Sequence, residues 1–341
     1  MLRVGIIGAS GYAGEELIKL LLRHPDVRLT YLSAKIEKPV PVSEMFGYLA
    51  GRLDLVCELP SVQEAAGKSD LVFLALPHTV SMEFVPALIK QNKKIIDLSA
   101  DYRLSDTEVY AQWYHTQHKD KAHLEKFVYG LPELYREKIK HSDCIANPGC
   151  YPTAAILGLA PVVVAGLVAE PDHIVVDAKS GATGAGRKAS MDFFFSEVNE
   201  NFKGYKYNHH QHLPEINQEL SKLAAVNINV VFCPHLLPVN RGILETIYIK
   251  LNKPLDAAKI EQIYKNFYKT EPFVRLNGPG KLPELKDVVN TNFCDIGFAV
   301  DESRKLLIVV SVIDNLLKGA SGQAVQNMNI MCGFQEKQGL L

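Results

Sequence analysis

The first 23 residues constrain the fold most, because they predict a strand, a glycine-rich turn and a helix in succession. Arg3 to Ile7 is a short apolar run, and Glu15 to Arg23 has leucines at helical spacing. Glycines between a strand and a helix permit a tight turn and let a pyrophosphate approach the backbone at the helix N-terminus. The turn therefore predicts a dinucleotide site, with Gly8, Ser10, Gly11, Tyr12, Ala13 and Gly14 as its residues.

The chain up to residue 147 goes on alternating predicted strands and helices. Apolar runs predict strands at 27–32, 69–76, 94–98 and 144–147, and helical spacing predicts a helix at 80–90. Such alternation predicts an α/β fold with a Rossmann-type, doubly wound parallel sheet.

Beyond residue 147 the predicted strands are longer and closer together. They lie at 175–178, 230–234, 245–251 and 306–313, with helices at 256–268 and 321–331. This spacing predicts an α+β domain with a mixed or antiparallel sheet. Its apolar strands favour self-association.

Composition and charge exclude several classes of function. The net charge of −1 leaves no electrostatic footprint for nucleic acid or an anionic membrane. The uncharged stretch 152–169 is marginal in length for a membrane span, and Pro161 would break its helix, so we expect a buried helix, a turn and more buried chain. We expect no secretory signal and, with six scattered cysteines, a cytoplasmic protein. No cysteine spacing predicts a metal site.

The end of the second predicted strand indicates which dinucleotide binds. Proteins that bind NAD place an acid there to hold the ribose 2′-hydroxyl. This chain has Ser33 and Lys35, which suit a 2′-phosphate by hydrogen bonding and charge, although Glu37 follows closely. The sequence favours NADP(H).

A proline-flanked cysteine is the most informative single residue. It lies in Asn147-Pro148-Gly149-Cys150-Tyr151-Pro152-Thr153, a rigid turn before an apolar helix predicted at 154–159. A thiol at a helix N-terminus has a lowered pKa and becomes a nucleophile. Beside a nicotinamide, such a thiolate forms a thioester that hydride reduces to an aldehyde, or catalyses the reverse.

This chemistry needs a general acid/base, and residues 209–216 supply histidines. His212 is the first candidate, with Glu215 as a possible partner to orient an imidazole. His210 is the alternative, either as the base or as a substrate contact. A His-x-His pair alone is weak evidence for zinc, so we predict no metal.

Several motifs spread along the chain carry a family resemblance. They are Gly8-Ala9-Ser10-Gly11-Tyr12-Ala13-Gly14, Ala75-Leu76-Pro77-His78, Asp97-Leu98-Ser99-Ala100-Asp101-Tyr102-Arg103, Tyr129-Gly130-Leu131-Pro132-Glu133, the Cys150 heptad, Ser180-Gly181-Ala182-Thr183-Gly184-Ala185-Gly186-Arg187, and Asn315-Leu316-Leu317-Lys318-Gly319-Ala320-Ser321-Gly322-Gln323-Ala324. The chain resembles the N-acetyl-γ-glutamyl-phosphate reductase family, within the aspartate-semialdehyde dehydrogenase superfamily.

The resemblance implies NADPH-dependent reduction of N-acetylglutamyl 5-phosphate to the 5-semialdehyde with phosphate release, in arginine biosynthesis. It implies that Cys150 forms the acyl-enzyme and that His212 is the acid/base. It also implies that the tail from Asn315 returns to the cofactor domain, with Asn315 and Gly319 near the nicotinamide. The expected domains are 1–147 with 315–341 for NADP, and 148–314 for catalysis and oligomerisation. The family commonly has Arg between the two histidines, where this chain has Gln211.

The acyl-phosphate substrate carries two anionic groups, so cations should bind it. Arg103, Arg187 and Arg241 lie in Gly- or Pro-flanked loops and are the candidates, with Arg103 suited to the phosphate by resemblance. The sequence leaves open whether the amino-protecting group is acetyl or a carrier, and whether the homo-oligomer is a dimer or a tetramer.

Two other functions remain compatible with these residues. The same thiolate and cofactor would serve an aspartate-semialdehyde dehydrogenase or another acyl-phosphate reductase. A non-catalytic NADP sensor is the alternative from a different class, although a sensor has no need of a rigid cysteine turn.

Overall fold

The computed structural model describes residues 1–278 and 280–341, which form two compact units. The first unit comprises Met1–Pro148 and Ala320–Leu341, and the second comprises Gly149–Gly319. The chain thus returns to the first unit at residue 320, five residues later than the position at which the sequence placed the return. Residues 315–319 belong to the second unit because the Asn315 side chain bonds to Gly242 and Thr183 there.

The first unit is built on one eight-stranded sheet. Its strands are β1 (Leu2–Ile7), β2 (Val27–Ser33), β3 (Val40–Pro41), β4 (Val56–Glu58), β5 (Leu71–Leu74), β6 (Lys94–Asp97), β7 (Phe127–Tyr129) and β8 (Cys144–Ala146). Their order is β3-β4-β2-β1-β5-β6-β8-β7, parallel except where β3 joins β4. The predicted doubly wound sheet is confirmed. Its topological switch point, where the strand order reverses, lies between β1 and β5.

Helices cover this sheet because each has one apolar stripe. They are α1 (Tyr12–Leu21), α2 (Val42–Met45), α3 (Val62–Lys68), α4 (Val85–Lys90), α5 (Thr107–Tyr114) and α6 (Pro132–Lys140). On α1 the buried residues include Leu17, Leu20 and Leu21. The Ser61 side chain caps α3 and the Asp106 side chain caps α5 by accepting backbone N–H groups.

The second unit contains a seven-stranded mixed sheet, as predicted. Its strands are β9 (Val175–Ser180), β10 (Lys203–Gly204), β11 (Val231–Leu236), β12 (Ile243–Lys250), β13 (Val274–Leu276), β14 (Cys294–Asp301) and β15 (Leu306–Ile313). The order is β10-β11-β9-β12-β15-β14-β13, with parallel pairing for β9–β11 and β13–β14. Its helices are α7 (Cys150–Val164), α8 (Phe195–Val198), α9 (Leu213–Ala224), α10 (Ala257–Tyr268) and α11 (Leu285–Val288). The last helix, α12 (Gly322–Cys332), belongs to the first unit.

Helix α7 corrects the expectation that Pro161 ends the helix. It runs unbroken from Cys150 to Val164. Proline removes the N–H that would bond the carbonyl four residues earlier, which is that of Leu157. The Tyr268 hydroxyl donates to this carbonyl at 2.5 Å, and the Tyr264 hydroxyl donates to the next one, of Gly158, at 2.7 Å. Two α10 tyrosines thus supply donors where the helix would otherwise fail. Among the described residues, no helix is long and apolar enough to cross a membrane.

Glu245, on β12, is a buried acid on the same face as Ile243 and Ile247. Neither of its carboxyl oxygens has a hydrogen-bond partner within the described part of the chain. Desolvation raises the pKa of Glu245 well above its ordinary value, opposed by the Lys179 ammonium. Between the unfolded and folded pKa values the folded state binds the additional proton, so stability falls as pH rises, by roughly 1.4 kcal/mol per pH unit.

We therefore expect Glu245→Gln to stabilise the protein more at about pH 8 than at about pH 5, because glutamine never ionises. Thermal midpoints of both proteins at the two pH values, at one protein concentration, measure this. Glu302→Gln, at an exposed position, is the control and should change neither midpoint. An equal effect of Glu245→Gln at both pH values would contradict the assignment.

Candidate active site

The glycine turn after β1 has the geometry that a dinucleotide requires. Gly8 has φ +99°, and a Cβ there would lie 2.1 Å from the Ala75 carbonyl oxygen. A Cβ at Gly14 would lie 2.3 Å from the Gly8 carbonyl oxygen, so both positions exclude side chains. At Gly11, in contrast, a Cβ would meet only that oxygen, at 3.7 Å. Gly11 caps α1 without a side-chain hydrogen bond, so the first N–H groups of the helix suit a pyrophosphate.

The two residues predicted to choose the dinucleotide differ in exposure. Ser33 ends β2 with its side chain buried, and its carbonyl accepts the N–H groups of Gly8 and Ala9 at 2.8 and 2.9 Å. Ser33 thereby holds the glycine turn on β2, a role that the sequence did not indicate. Lys35 is exposed. The Lys35 ammonium is therefore accessible from solvent, whereas the Ser33 hydroxyl is not.

In the second unit, Cys150 is the first residue of α7 and is partly exposed. The helix thus begins at the cysteine itself, four residues before the predicted start. The buried Glu215 carboxylate accepts the Gly149 N–H at 2.8 Å. Gly319 lies against the cysteine, since a Cβ on Gly319 would come within 2.8 Å of the Cys150 Cβ. Glu215 and Gly319 thus hold the backbone around Cys150, which lies at the positive end of the α7 dipole.

The other cysteines lie in environments that disfavour a thiolate. Desolvation raises the pKa of Cys57, Cys144 and Cys332 to about 11, and also raises that of Cys233. Cys294 is buried, with its sulfur 3.5 Å from the Ser311 hydroxyl. The contrast with a partly exposed thiol at a helix N-terminus singles out Cys150.

The two candidate histidines lie together beside the residue after the nucleophile. Their ring centroids are 4.8 Å apart, and the Tyr151 ring contacts that of His210 at 5.3 Å and that of His212 at 5.9 Å. The His212 backbone N–H donates to His210 Nδ1 at 3.1 Å. A neutral His210 therefore carries its hydrogen on Nε2 and acts as a donor. Both rings thus lie against Tyr151, the residue that follows Cys150 in helix α7.

A tyrosine pair is the part of this cluster that the sequence reasoning missed. The Tyr151 and Tyr205 hydroxyls are 2.8 Å apart, and the Tyr205 ring also contacts His210. Desolvation, together with the Cys150 charge and against the lowering effect of the bond to Tyr151, raises the pKa of Tyr205 to about 12. Desolvation also raises the pKa of Tyr151 well above its ordinary value, so both phenols stay neutral. Tyr151 could have been found from its place in the cysteine heptad. Tyr205 carried no signal, because only the β10–β11 pairing brings it back.

The remaining predicted residues are described within their own units. Asn315 is held within the second unit, where its Oδ1 accepts the Gly242 N–H at 2.7 Å and its Nδ2 donates to Thr183. Arg241 pairs with buried Asp314 at 3.4 Å, and Arg187 is exposed. Arg103 is buried in the first unit, where it donates to the carbonyls of Asn147 and Leu98 at 2.7 and 2.8 Å. Within the described ranges, no group of three or more metal-binding side chains is arranged to hold an ion.

Two family models match the chain, one for each unit. Residues 3–142 match the semialdehyde dehydrogenase NAD binding domain, and residues 150–315 match the semialdehyde dehydrogenase dimerisation domain. An N-acetyl-gamma-glutamyl-phosphate reductase from Desulfotalea psychrophila is 50% identical over 341 residues, covering 100% of this chain and 98% of the relative. The enzyme of the same name from Pelotomaculum thermopropionicum is 47% identical, covering 99% and 97%.

Solved structures share the fold at much lower identity. Aspartate semialdehyde dehydrogenase II from Vibrio cholerae, complexed with ASA, superimposes with a TM-score of 0.73 at 19% identity, covering 98% of each chain. Aspartate semialdehyde dehydrogenase with NADP from Candida albicans gives 0.72 at 14% identity, covering 97% of this chain and 98% of that one.

Proposed function

The chain belongs to the N-acetyl-gamma-glutamyl-phosphate reductase family, and on that premise we propose how its own residues perform the reaction. It is an NADP(H)-dependent oxidoreductase that acts on an acyl phosphate, with a role in arginine biosynthesis. The substrate is N-acetyl-γ-glutamyl 5-phosphate and the product is its 5-semialdehyde. Aspartate-semialdehyde dehydrogenases share the fold at 19% identity or less, against about 50% for the reductases.

The position of Cys150 at the start of α7 carries the proposal. Its thiolate attacks the acyl carbon, the carbon–oxygen bond to phosphate breaks, and a thioester and inorganic phosphate result. When bound, NADPH supplies a hydride to the thioester carbonyl carbon. His212 donates a proton to the carbonyl oxygen as the hydride adds and takes it back as the carbon–sulfur bond breaks, so that Cys150 leaves as the thiolate and the aldehyde is released. A non-catalytic sensor would have no use for a thiol whose backbone Gly319 and Glu215 hold in place.

We assign substrate binding to His210 and the arginines. In this proposal the Nε2–H of His210 donates to an acyl or carboxylate oxygen of the substrate. Arg187 and Arg241 lie in the same unit as Cys150 and suit the α-carboxylate, and Arg103 suits the phosphate. The substrate assay described below, which compares acetylated with unacetylated glutamate semialdehyde, tests whether the protecting group is acetyl.

Cofactor binding is assigned to residues 1–148 with 320–341, and catalysis and oligomerisation to 149–319. In this proposal Gly8, Ser10, Gly11, Tyr12, Ala13 and Gly14 hold the pyrophosphate, Ser33 and Lys35 serve the 2′-phosphate end, and Asn315 and Gly319 serve the nicotinamide end. The structure fits such a ligand at the glycine turn, where side chains are excluded by backbone contacts.

Self-association is assigned to the second unit, whose family model is a dimerisation domain. This unit exposes four large apolar side chains within a short segment, which are Met191, Phe194, Phe195 and Phe202, and exposed apolar clusters often mark protein–protein interfaces. We propose a dimer, or a tetramer built from dimers, located in the cytoplasm, where a reducing environment keeps the Cys150 thiol free.

Lys35→Ala should weaken NADPH binding while leaving NADH binding nearly unchanged. A charge-assisted contact with the 2′-phosphate contributes roughly 1.5–3 kcal/mol, so we expect the Michaelis constant for NADPH to rise about tenfold or more. Steady-state kinetics with each cofactor measure this. Equal Michaelis constants for NADH and NADPH in the unmodified enzyme would refute the NADP assignment.

The experiment that tests the proposed function is phosphate-dependent reduction of NADP⁺ by N-acetylglutamate 5-semialdehyde. We expect turnover that requires both aldehyde and phosphate, with much lower activity on aspartate semialdehyde or on unacetylated glutamate semialdehyde. Preference for aspartate semialdehyde would overturn the substrate, and NADP⁺ binding without turnover would support a sensor.

A further inference from the structure

The loop after β5 is held in a strained conformation by one buried acid. Thr79 has φ +73°, which is rare for a β-branched residue. Its N–H donates to Asp101 Oδ1 at 2.7 Å, and the Ser81 N–H donates to Asp101 Oδ2 at 3.0 Å. Asp101 is buried and also accepts the Tyr110 hydroxyl at 2.7 Å. Backbone strain that the surroundings maintain is concentrated at ligand sites, and here the strained residue follows His78.

The surroundings of His78 fix its protonation state. Its Nδ1 accepts the Ala100 N–H at 3.0 Å, so the hydrogen of the neutral ring lies on Nε2. The ring packs edge-on against Tyr114, with centroids 5.3 Å apart. Although His78 is an exposed residue, desolvation by the surrounding loops, together with the Arg103 charge, lowers its pKa to about 4. At neutral pH, His78 therefore presents one N–H donor.

The sheet places this donor beside the glycine turn. The loop leaves the carboxyl end of β5, and the Ala75 carbonyl in it touches Gly8. β5 pairs with β1 on the side opposite to β2, the strand that leads to Lys35. Dinucleotides lie across this switch point, one half on each side of the central strand. If Lys35 takes the 2′-phosphate end, the β5 side receives the nicotinamide half.

We propose that His78 is a cofactor-binding residue whose Nε2–H donates to an oxygen in the nicotinamide half of the dinucleotide. The proposal rests on the NADP assignment above and adds a residue and a half of the ligand to it. The strained Thr79, held with Ser81 by their backbone bonds to Asp101, positions His78 for this contact. No part of the proposal depends on the chemistry at Cys150.

Measurements of ligand binding, made without turnover, test the role of His78. His78→Asn keeps a side-chain oxygen that can accept the Ala100 N–H, but it has no donor as far from the backbone as Nε2. His78→Gln has a longer side chain, whose amide N–H restores a donor at about the distance of Nε2. With the full-length protein, we expect His78→Asn to raise the dissociation constant for NADPH, measured by its fluorescence, about tenfold. The constant for 2′,5′-ADP, which lacks the nicotinamide half, should change by less than about twofold. His78→Gln should recover part of the loss, and Lys35→Ala should weaken both ligands.

An unchanged NADPH constant in His78→Asn, in a variant whose thermal midpoint is that of the parent, would overturn the inference. So would an equal loss for NADPH and 2′,5′-ADP, because the contact would then lie on the adenosine side or act through the fold. Failure of the parent protein to bind NADPH would instead overturn the proposed function, so the two failures are distinguishable.

Discussion

Replacing Cys150 with serine is expected to lower kcat by on the order of 10³-fold or more, with the fold intact. The side chains are nearly isosteric, so helix α7 and its contact with Gly319 should persist. A serine hydroxyl has a far higher pKa than a thiol and is the weaker nucleophile, and an ester accepts hydride less readily than a thioester. Steady-state kinetics, with NADPH binding and circular dichroism as folding controls, measure the effect. Activity of the serine variant within about tenfold of the parent would place the nucleophile elsewhere.

Selective alkylation gives an independent view of the same thiol. Iodoacetamide at neutral pH should modify Cys150 before the other cysteines, since burial raises the pKa of Cys57, Cys144 and Cys332 to about 11. The acyl phosphate should protect it, because the thioester occupies the sulfur. Peptide mapping at partial inactivation identifies the residue. First labelling at Cys144, with equal inactivation, would contradict the assignment.

His212→Asn is expected to slow turnover by roughly 10²–10⁴-fold while leaving NADPH binding unchanged. In the proposed mechanism His212 transfers the proton, whereas His210, whose Nδ1 accepts the His212 N–H, donates to the substrate through Nε2. His210→Asn, the matched control, should mainly raise the Michaelis constant of the acyl phosphate. Measuring kcat and the Michaelis constant of each variant across pH separates loss of proton transfer from loss of substrate binding. If the variants exchange phenotypes, the two assignments are reversed.

The sequence predicted the strands and the nucleophile because these depend on local patterns. Alternating apolar runs predicted the parallel sheet, and the proline-flanked turn predicted a cysteine at a helix N-terminus, which the structure places one turn earlier than the apolar run indicated. For Ser33 the sequence indicated a contact with the cofactor but not the structural role of its backbone. Its residue type suited a phosphate, but only the β2–β1 geometry shows its carbonyl holding Gly8 and Ala9.

What the sequence could not predict depends on contacts between distant segments. Pro161 looked like a helix breaker, because no local pattern indicates that Tyr268, more than one hundred residues away, bonds the Leu157 carbonyl. Glu215 was considered only as a partner for an imidazole, yet its carboxylate accepts the Gly149 N–H. The return of the chain at residue 320 likewise depends on where the Asn315 side chain finds its partners.

The covalent intermediate is the centre of this mechanism, and intact-protein mass spectrometry tests it most directly. The enzyme is mixed with N-acetyl-γ-glutamyl 5-phosphate without NADPH, quenched in acid and mapped. We predict one acyl group per chain on the peptide that contains Cys150, lost again when NADPH is added before the quench. Absence of the adduct from an active enzyme, or an acyl group on any other residue that disappears with NADPH at the rate of turnover, would contradict it.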